Sequence, residues 1–561
     1  MTIFSARSAG HSAIVNGRPV TTPYLSRPTA RLAIQSVFAI GAILRFAGPA
    51  VGQVAEPQTS PSVIDAVEIE TENVFSEAEI RKNFIFRFMN SIRFQTREQV
   101  VEKELLFRPG STLDSVQLAE TERNLRNLGL FRDVSVDTIS RGDSLIVKVR
   151  TQDAWSTQPI FRFSFSGETL TGKIGLAEKN LLGTGNQARI AWRKDVDRSA
   201  FEIDSRFRRV FGTQLDVAGA YSGLSDGDIG QWYVGDPWRS AEDRRAVGYA
   251  GDFSNRHIPQ YRVLSETLTD TTQYRYRGFG NSLSIGWAPQ AKSGRFLRVG
   301  VDGVLRNDRY LSEYDTASVL APPDSVKGWI GGFVETRRDR FTVFQYLNGF
   351  SREDVNLSPY AIGGVRIAPS AFGYDRDGIG LVARAGTGGR TGPVFLRVDI
   401  SANALFTSAG VDSGRVVLNV SAAAKPGRKH AVLLRLLGGV LDNPPPGSEF
   451  DLGFDRAPRS FDPHSFVGTR AAVGTIEYRW YIWDSLLGLF GLGVAGFLDY
   501  GGAWYPEQNP RSGGNFGVGL RTGSARASGA QTGRIDIGYR FGSDVTGSRW
   551  AFSLGTGFNF F

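Results

Sequence analysis

The sequence predicts a mainly β protein, a C-terminal transmembrane antiparallel barrel of about 16 strands preceded by one small α+β domain. Three observations carry that expectation. Apolar and polar residues alternate in segment after segment from Trp155 to the end of the 561-residue chain. Its 67 Gly accompany 38 Phe, 17 Tyr and 10 Trp without a Gly-X-Y repeat, which excludes collagen and disorder alike. Residues 154–561 are also too many for one soluble core, since cores stop growing near ~250–300 residues. The absence of Cys excludes disulfide frameworks, thiolate metal sites and cysteine nucleophiles.

Residues 1–52 read as a signal peptide or targeting leader. No acid precedes Glu56, whereas Arg7, Arg18, Arg27, Arg31 and Arg45 all do. An apolar run from Leu32 to Leu44 is followed by the small residues Ala50-Val51-Gly52, the order of a secretory segment. A disordered tail and an organellar transit peptide are the alternatives. These five arginines account for more than half of the +9 formal charge.

Residues 53–153 predict a linker and a single compact domain. Val63 to Ile69 is strand-like, and Phe84, Phe86 and Phe88 form an apolar patch. Thr96 with Gln99 has the spacing of a capping box, so a helix is expected to start there and stop before Arg108-Pro109-Gly110. A second helix is expected from about Asp114 to Leu128, with Leu118, Leu125 and Leu128 on one face and Gly129 as the C′ residue. Two strands follow, Phe131–Val136 and Leu145–Val149. Strand, helix, helix, strand, strand is one α+β unit.

Within residues 154–561, Phe201, Ile203 and Phe207 alternate with Glu202, Asp204 and Arg206. Leu297, Val299, Val301 and Leu305 alternate with Arg298, Asp302 and Arg306, and Leu396 to Ala404 repeats the pattern. A soluble sandwich with one wet face alternates in the same way. A lipid-facing Lys or Arg, however, costs ~2–4 kcal/mol at the midplane, so a membrane barrel must keep its charges on one face, as these segments do. At roughly 25 residues per strand with its loop, the region holds about 16 strands.

Several motifs resemble the bacterial outer-membrane protein-assembly and translocation superfamily, also called the surface-antigen family, in which periplasmic POTRA domains precede a 16-stranded barrel. The stretch from Glu120 to Gly129 and on to Val134 is similar to the second helix and next strand of a POTRA domain. Gly175 to Gly185 resembles the family's early barrel strands. After Val440 a long loop near 441–468 contains Pro458-Arg459-Ser460-Phe461, where the family has an inward-folded Val-Arg-Gly-Phe/Tyr tip. Arg459 and Phe461 match; Pro458 and Ser460 do not. Phe497-Leu498-Asp499-Tyr500-Gly501 matches the family's Phe-x-Asp-x-Gly strand motif. The resemblance implies that Arg459, Phe461, Phe497, Asp499 and Gly501 lock the loop inside the lumen. It also implies a terminal insertion signal in Trp550, Phe552, Leu554, Phe558, Phe560 and Phe561, although period 2 along this strand puts Phe560 rather than the final Phe561 on the greasy face, a departure from the family.

Other chemistry is not supported. Gly183-Thr184-Gly185-Asn186-Gln187-Ala188 formally fits a dinucleotide fingerprint, but a strand-like segment follows where a helix is required. His257, His430 and His464 lack ligand spacing, and arginines interleave with acids rather than forming a basic stripe. No enzyme, metal, cofactor or nucleic-acid partner is expected. The resemblance implies a bacterial outer-membrane location with the POTRA domain in the periplasm. Its partners would be outer-membrane lipids, unfolded or extended client proteins met by β-augmentation, and accessory periplasmic or lipoprotein subunits. The expected role is insertion or translocation of other proteins. A passive pore, receptor or surface antigen of the same architecture is the alternative, and a soluble secreted binding protein is a third class.

Overall fold

Alternation of apolar and polar residues becomes a closed wall in the computed structural model, which describes residues 62–560 apart from short gaps. The larger gaps are 88–93, 264–268, 313–323, 487–489, 527–531 and 557–559. The expected leader, Phe88, Phe558 and Phe561 lie outside the described residues.

The small domain contains β1 (Ala66–Glu72), α1 (Glu77–Lys82), α2 (Glu98–Glu102), α3 (Ser115–Asn127), β2 (Phe131–Arg141) and β3 (Ser144–Asp153). The central strand is β3, parallel to β1 and antiparallel to β2. As its sequence predicts, α3 starts where Asp114 accepts the Val116 N–H at 2.8 Å, and Gly129 follows it at φ +71. Leu125 and Leu128 pack with Val101, Phe107, Phe131, Val147 and Val149 as the core. The capping box at Thr96 does not form. The helix begins later with no side-chain cap, because Thr96 is engaged elsewhere: its N–H donates to Asp153 at 3.0 Å and its hydroxyl accepts from Asn180 Nδ2 at 2.8 Å.

The barrel contains twenty strands among the described residues, all paired antiparallel along the ladders, not the expected sixteen. The reason lies in its first third. Seven strands fit between Thr157 and Val263 because the first six have only 9–13 residues each, so 25 residues per strand overstates the spacing. The last wall strand, Trp550–Thr556, closes against the first, Thr157–Ser166.

The two faces separate as the alternation requires. Phe201, Ile203, Val299, Val301, Leu305 and Leu396 are exposed on the outside. Inside, Glu202 pairs with Lys173 and with Arg193, Arg189 with Asp204, and Arg206 with Asp216. Charges placed inward avoid the cost of facing lipid and neutralise one another.

The domain packs on one end of this barrel, here called the domain side. Arg97 N–H donates to the Gly183 carbonyl at 3.0 Å. A Cβ at Gly183, which has φ +74, would overlap the Gln95 carbonyl, so only glycine fits this turn against the domain. The early-strand motif thus forms a docking knob in which Asn180 reaches Thr96 and also accepts from Gly185 N–H at 2.9 Å.

Candidate functional site

On the far side, the chain between wall strands His430–Asp442 and Arg470–Leu486 forms a small ladder, Phe450–Leu452 against Phe466–Gly468. Its tip turns into the lumen and buries Arg459 completely. Arg459 Nε and Nη2 donate to the two oxygens of Asp499 at 2.8 and 3.0 Å, and its backbone N–H donates to the same carboxylate at 3.1 Å. This is the bidentate fork that a carboxylate accepts best. Nη1 reaches Glu477 at 2.6 Å and Asp536 at 3.5 Å. The guanidinium also lies 4.1 Å over the Phe497 ring.

Phe461 packs against Phe466, with the rings tilted and their centroids 5.1 Å apart, in a core with Leu452, Ala471 and Ala503. The structure therefore brings Arg459, Phe461, Phe497 and Asp499 to one place. Gly501 does not join them; it sits at φ +152 where a Cβ would overlap the Ala472 carbonyl of the neighbouring strand. Ser460, which differs from the family tip, fits because its Oγ occupies the space a Cβ at Gly538 would need. Arg540 secures the turn by donating to the Ser460 carbonyl.

The site is larger than the motifs suggest. Arg459, Arg479, Arg521 and Arg534 meet Glu477, Asp499 and Asp536, and none of the seven is more than 1% exposed. Glu477 joins them: Oε2 accepts from Arg459, while Oε1 accepts from Arg479 at 2.7 Å and Arg521 at 2.9 Å. Arg521 and Arg534 both close on Asp536, at 2.6 and 2.9 Å. Burying such a network gains little net stability, but removing one member strands the others and costs about 3–5 kcal/mol.

A second insert enters from the domain side, and sequence reasoning missed it. Between wall strands Ser325–Arg338 and Tyr360–Ala368, residues Phe341–Gln345 pair with Arg352–Asn356 as a hairpin outside the wall sheet. Its tip carries Leu347, Asn348 and Phe350 into the lumen. The Leu347 carbonyl accepts from Tyr481 Oη at 2.8 Å, and the Asn348 carbonyl accepts from Arg479 Nη1 at 3.0 Å. Phe350 fills the space left by Gly491 and Gly523. The Asn348-Gly349 pair is a turn signal legible in the sequence, although the turn that forms spans residues 346–351 rather than the two-residue turn such a pair favours.

The same hairpin is tied to the domain. Arg126 on α3 donates to both oxygens of Asp354 at 2.7 and 2.8 Å. Arg123 pairs with Asp339 at 3.3 Å and lies 4.3 Å over the Phe341 ring.

The chain end departs from expectation. Trp550 and Phe552 do face outward, and Leu554 is half-buried. Phe560 is not on the greasy face. It is 2% exposed, inside the barrel, in a cluster with Leu347, Leu357, Phe395, Ala423 and Leu433. Its N–H donates to Asn348 Oδ1 at 2.9 Å. An inward apolar pocket built by the hairpin competes for the final aromatic, and period 2 along one strand cannot reveal it.

Both mouths are thus crossed by protein. On the far side His464 lies between Asp451 of its own loop, at 2.8 Å, and Asp197 in the turn between the third and fourth wall strands, at 3.6 Å. On the domain side, Ala241 N–H donates to Glu120 at 2.8 Å and Gln117 donates to Glu242 at 3.0 Å.

No family model matches the chain. A stretch of 132 residues is 25% identical to the outer membrane protein assembly factor BamA of Neorickettsia risticii, covering 22% of this chain and 17% of that protein. Over that stretch the chain resembles an outer-membrane protein-assembly factor. In that match it spans less than a fifth of the relative's length. Among solved structures, CdiB from Escherichia coli is 10% identical with a TM-score of 0.44, over 95% of this chain and 99% of that one. BamA from Haemophilus ducreyi lacking POTRA domains 1–3 is 10% identical with a TM-score of 0.37, over 88% and 84%.

Proposed function

We propose that the chain is an outer-membrane barrel that assists the insertion or translocation of other proteins, with its small domain acting as a periplasmic POTRA domain. The observation that carries this reading is the double closure of the lumen, by the far-side loop through Arg459 and by the hairpin around Asn348. A passive pore needs an open path, whereas an assembly barrel needs only a wall, a strand edge and a seam. In the sheet order β1-β3-β2, each outer strand has one edge unpaired among the described residues, and eleven-residue β2 is the longer. An extended client can add to such an edge through main-chain hydrogen bonds with little sequence specificity. The wall seam between Trp550–Thr556 and Thr157–Ser166 is the place for a client strand to enter. Arg459 and Asp499 would lock the far loop during this cycle. Strand pairing and lipid burial supply the free energy, and no catalytic residue is required.

The test is comparative outer-membrane proteomics after depletion. Other outer-membrane proteins should fall in abundance; normal levels of every one would remove the assembly role.

One observation favours the alternative of a receptor or surface antigen. Three consecutive wall strands, Arg245–Val263, Thr269–Lys292 and Arg295–Ser312, have 19, 24 and 18 residues. A membrane strand needs only about 9–11. A ridge that long projects beyond the bilayer and offers a surface to external ligands. In that reading depletion leaves the other barrel proteins untouched while a surface-binding phenotype is lost.

A further inference from the structure

A pocket between the domain and the barrel holds more positive charge than its own carboxylates neutralise. It is lined on the barrel side by Arg206, Arg208, Arg209 and Arg239, and on the domain side by the end of α3. Its volume is about 160 Å³, room for several waters or one small ion with part of its shell. Only two acids line it, Glu104 and Asp216, and both are already engaged. Glu104 pairs with Arg209 at 3.2 Å. Asp216 accepts from Arg206 at 3.1 Å, from Arg239 at 3.0 Å and from the Arg209 N–H at 3.2 Å.

Arg208 is left over. Among the described residues its guanidinium has no hydrogen bond or ion pair, and its Nε is shut off from solvent without a partner. A buried donor in that state costs about 1–3 kcal/mol, more when charged, so the structure holds an unmet demand for an acceptor. Burial, with Arg206 beside it, pushes the Arg208 guanidinium down to about 10. Across the pocket the exposed side chain of Asn127 on α3 presents its amide to the solvent-filled space, with no hydrogen bond to the protein among the described residues.

We propose that this pocket binds a small oxyanion, a phosphate or a carboxylate, held by the Arg208 guanidinium with the Asn127 amide, so that the bound anion bridges the domain to the barrel mouth. The chemistry follows from the donors: a planar fork matches two oxygens of either group, and an ammonium-type point charge is absent from the lining. The pocket lies where the barrel's domain-side turns meet the domain, so the anion arrives from the compartment of the domain, either as a free solute or as the end of a chain entering the mouth.

The test is thermal unfolding of the full chain in detergent micelles at constant ionic strength, with chloride exchanged for inorganic phosphate. Wild type should unfold at a higher temperature in phosphate, and the 31P line should broaden at millimolar concentration. Arg208→Gln breaks no ion pair, so it should fold normally and unfold at or above the wild-type temperature in chloride while losing the phosphate shift. Asn127→Ala should reduce the shift, and Arg277→Gln, which removes an exposed cation elsewhere, should keep it. A phosphate shift of equal size in Arg208→Gln, or none in wild type, overturns the proposal. Displacement of phosphate by a short peptide with a free C-terminal carboxylate, but not by its amide, assigns the source to a chain end; failure of both assigns it to a free solute.

Discussion

The backbone amide of Phe560 donates to the side-chain carbonyl of Asn348 at 2.9 Å, so the end of the chain is held by the hairpin that enters from the domain side. The chain has no Cys, which makes single-cysteine labelling clean. A Phe560→Cys thiol should react slowly with a membrane-impermeant maleimide. Adding Asn348→Ala should speed it by about fivefold, the population change expected for one hydrogen bond worth about 1 kcal/mol. Equal rates would mean that Asn348 does not hold the chain end.

That hairpin in turn connects to the far-side loop through one carboxylate. Glu477 accepts from Arg459 on one oxygen and from Arg479 on the other, and Arg479 donates to the Asn348 carbonyl. Arg459→Ala and Asp499→Ala should each destabilise by about 3–5 kcal/mol, because each strands a buried charge. The double substitution should cost little more than either alone, the signature of a direct contact. Heat-modifiable gel migration against temperature measures all three; additive losses would separate the two side chains. Glu477→Gln should loosen both inserts at once.

Much of the small domain was legible because its signals are local. Asp114 and Gly129 bracket α3 as their residue types require. The motifs around Arg459 and Asp499 singled out two residues that the structure joins. What escaped depends on partners distant in sequence. Thr96 looks like a cap until Asp153 and Asn180 take its polar groups. Glu477 and Asp536 carry no local signal, since nothing local distinguishes an acid shared by three arginines from one facing water. Phe560 belongs to the greasy period of its strand until an inward pocket captures it. The strand count failed because wall strands run from 7 to 24 residues, so one average spacing cannot count them.

Shortening the hairpin tests whether it obstructs the domain-side mouth. Replacing residues 343–354 by a short Gly-Ser turn removes Leu347, Asn348, Phe350 and the Arg126–Asp354 pair together. The expected outcome is a larger single-channel conductance in planar bilayers, with the barrel still heat-modifiable. Unchanged conductance would place the barrier elsewhere. Arg126→Ala alone should act in the same direction but weakly, since Arg123 still holds Asp339.

Gly183→Ala probes the docking knob. The new methyl would meet the Gln95 carbonyl in a backbone conformation that L residues avoid. The domain should come away from the wall, with faster protease cleavage near residues 153–157 and an unchanged barrel. A cleavage rate equal to wild type would show that the turn can move without releasing the domain.

The far-side loop should respond to pH through His464. Burial alone would lower its pKa, but the carboxylates of Asp197 and Asp451 outweigh that and raise it to about 9. An unfolded or undocked histidine titrates near 6.5. The protonated form is therefore favoured in the docked loop, and the stabilisation is fully present below about pH 6.5. It declines as pH rises and is lost once pH passes about 9. Labelling of a cysteine placed at Ser465 should accordingly be slow at pH 6 and accelerate toward pH 9, after correction for thiol ionisation. His464→Gln keeps a donor but cannot carry the charge, so its labelling should be faster at pH 6 and independent of pH. A wild-type profile as flat as that of His464→Gln would show that the ion pairs to Asp197 and Asp451 do not hold the loop.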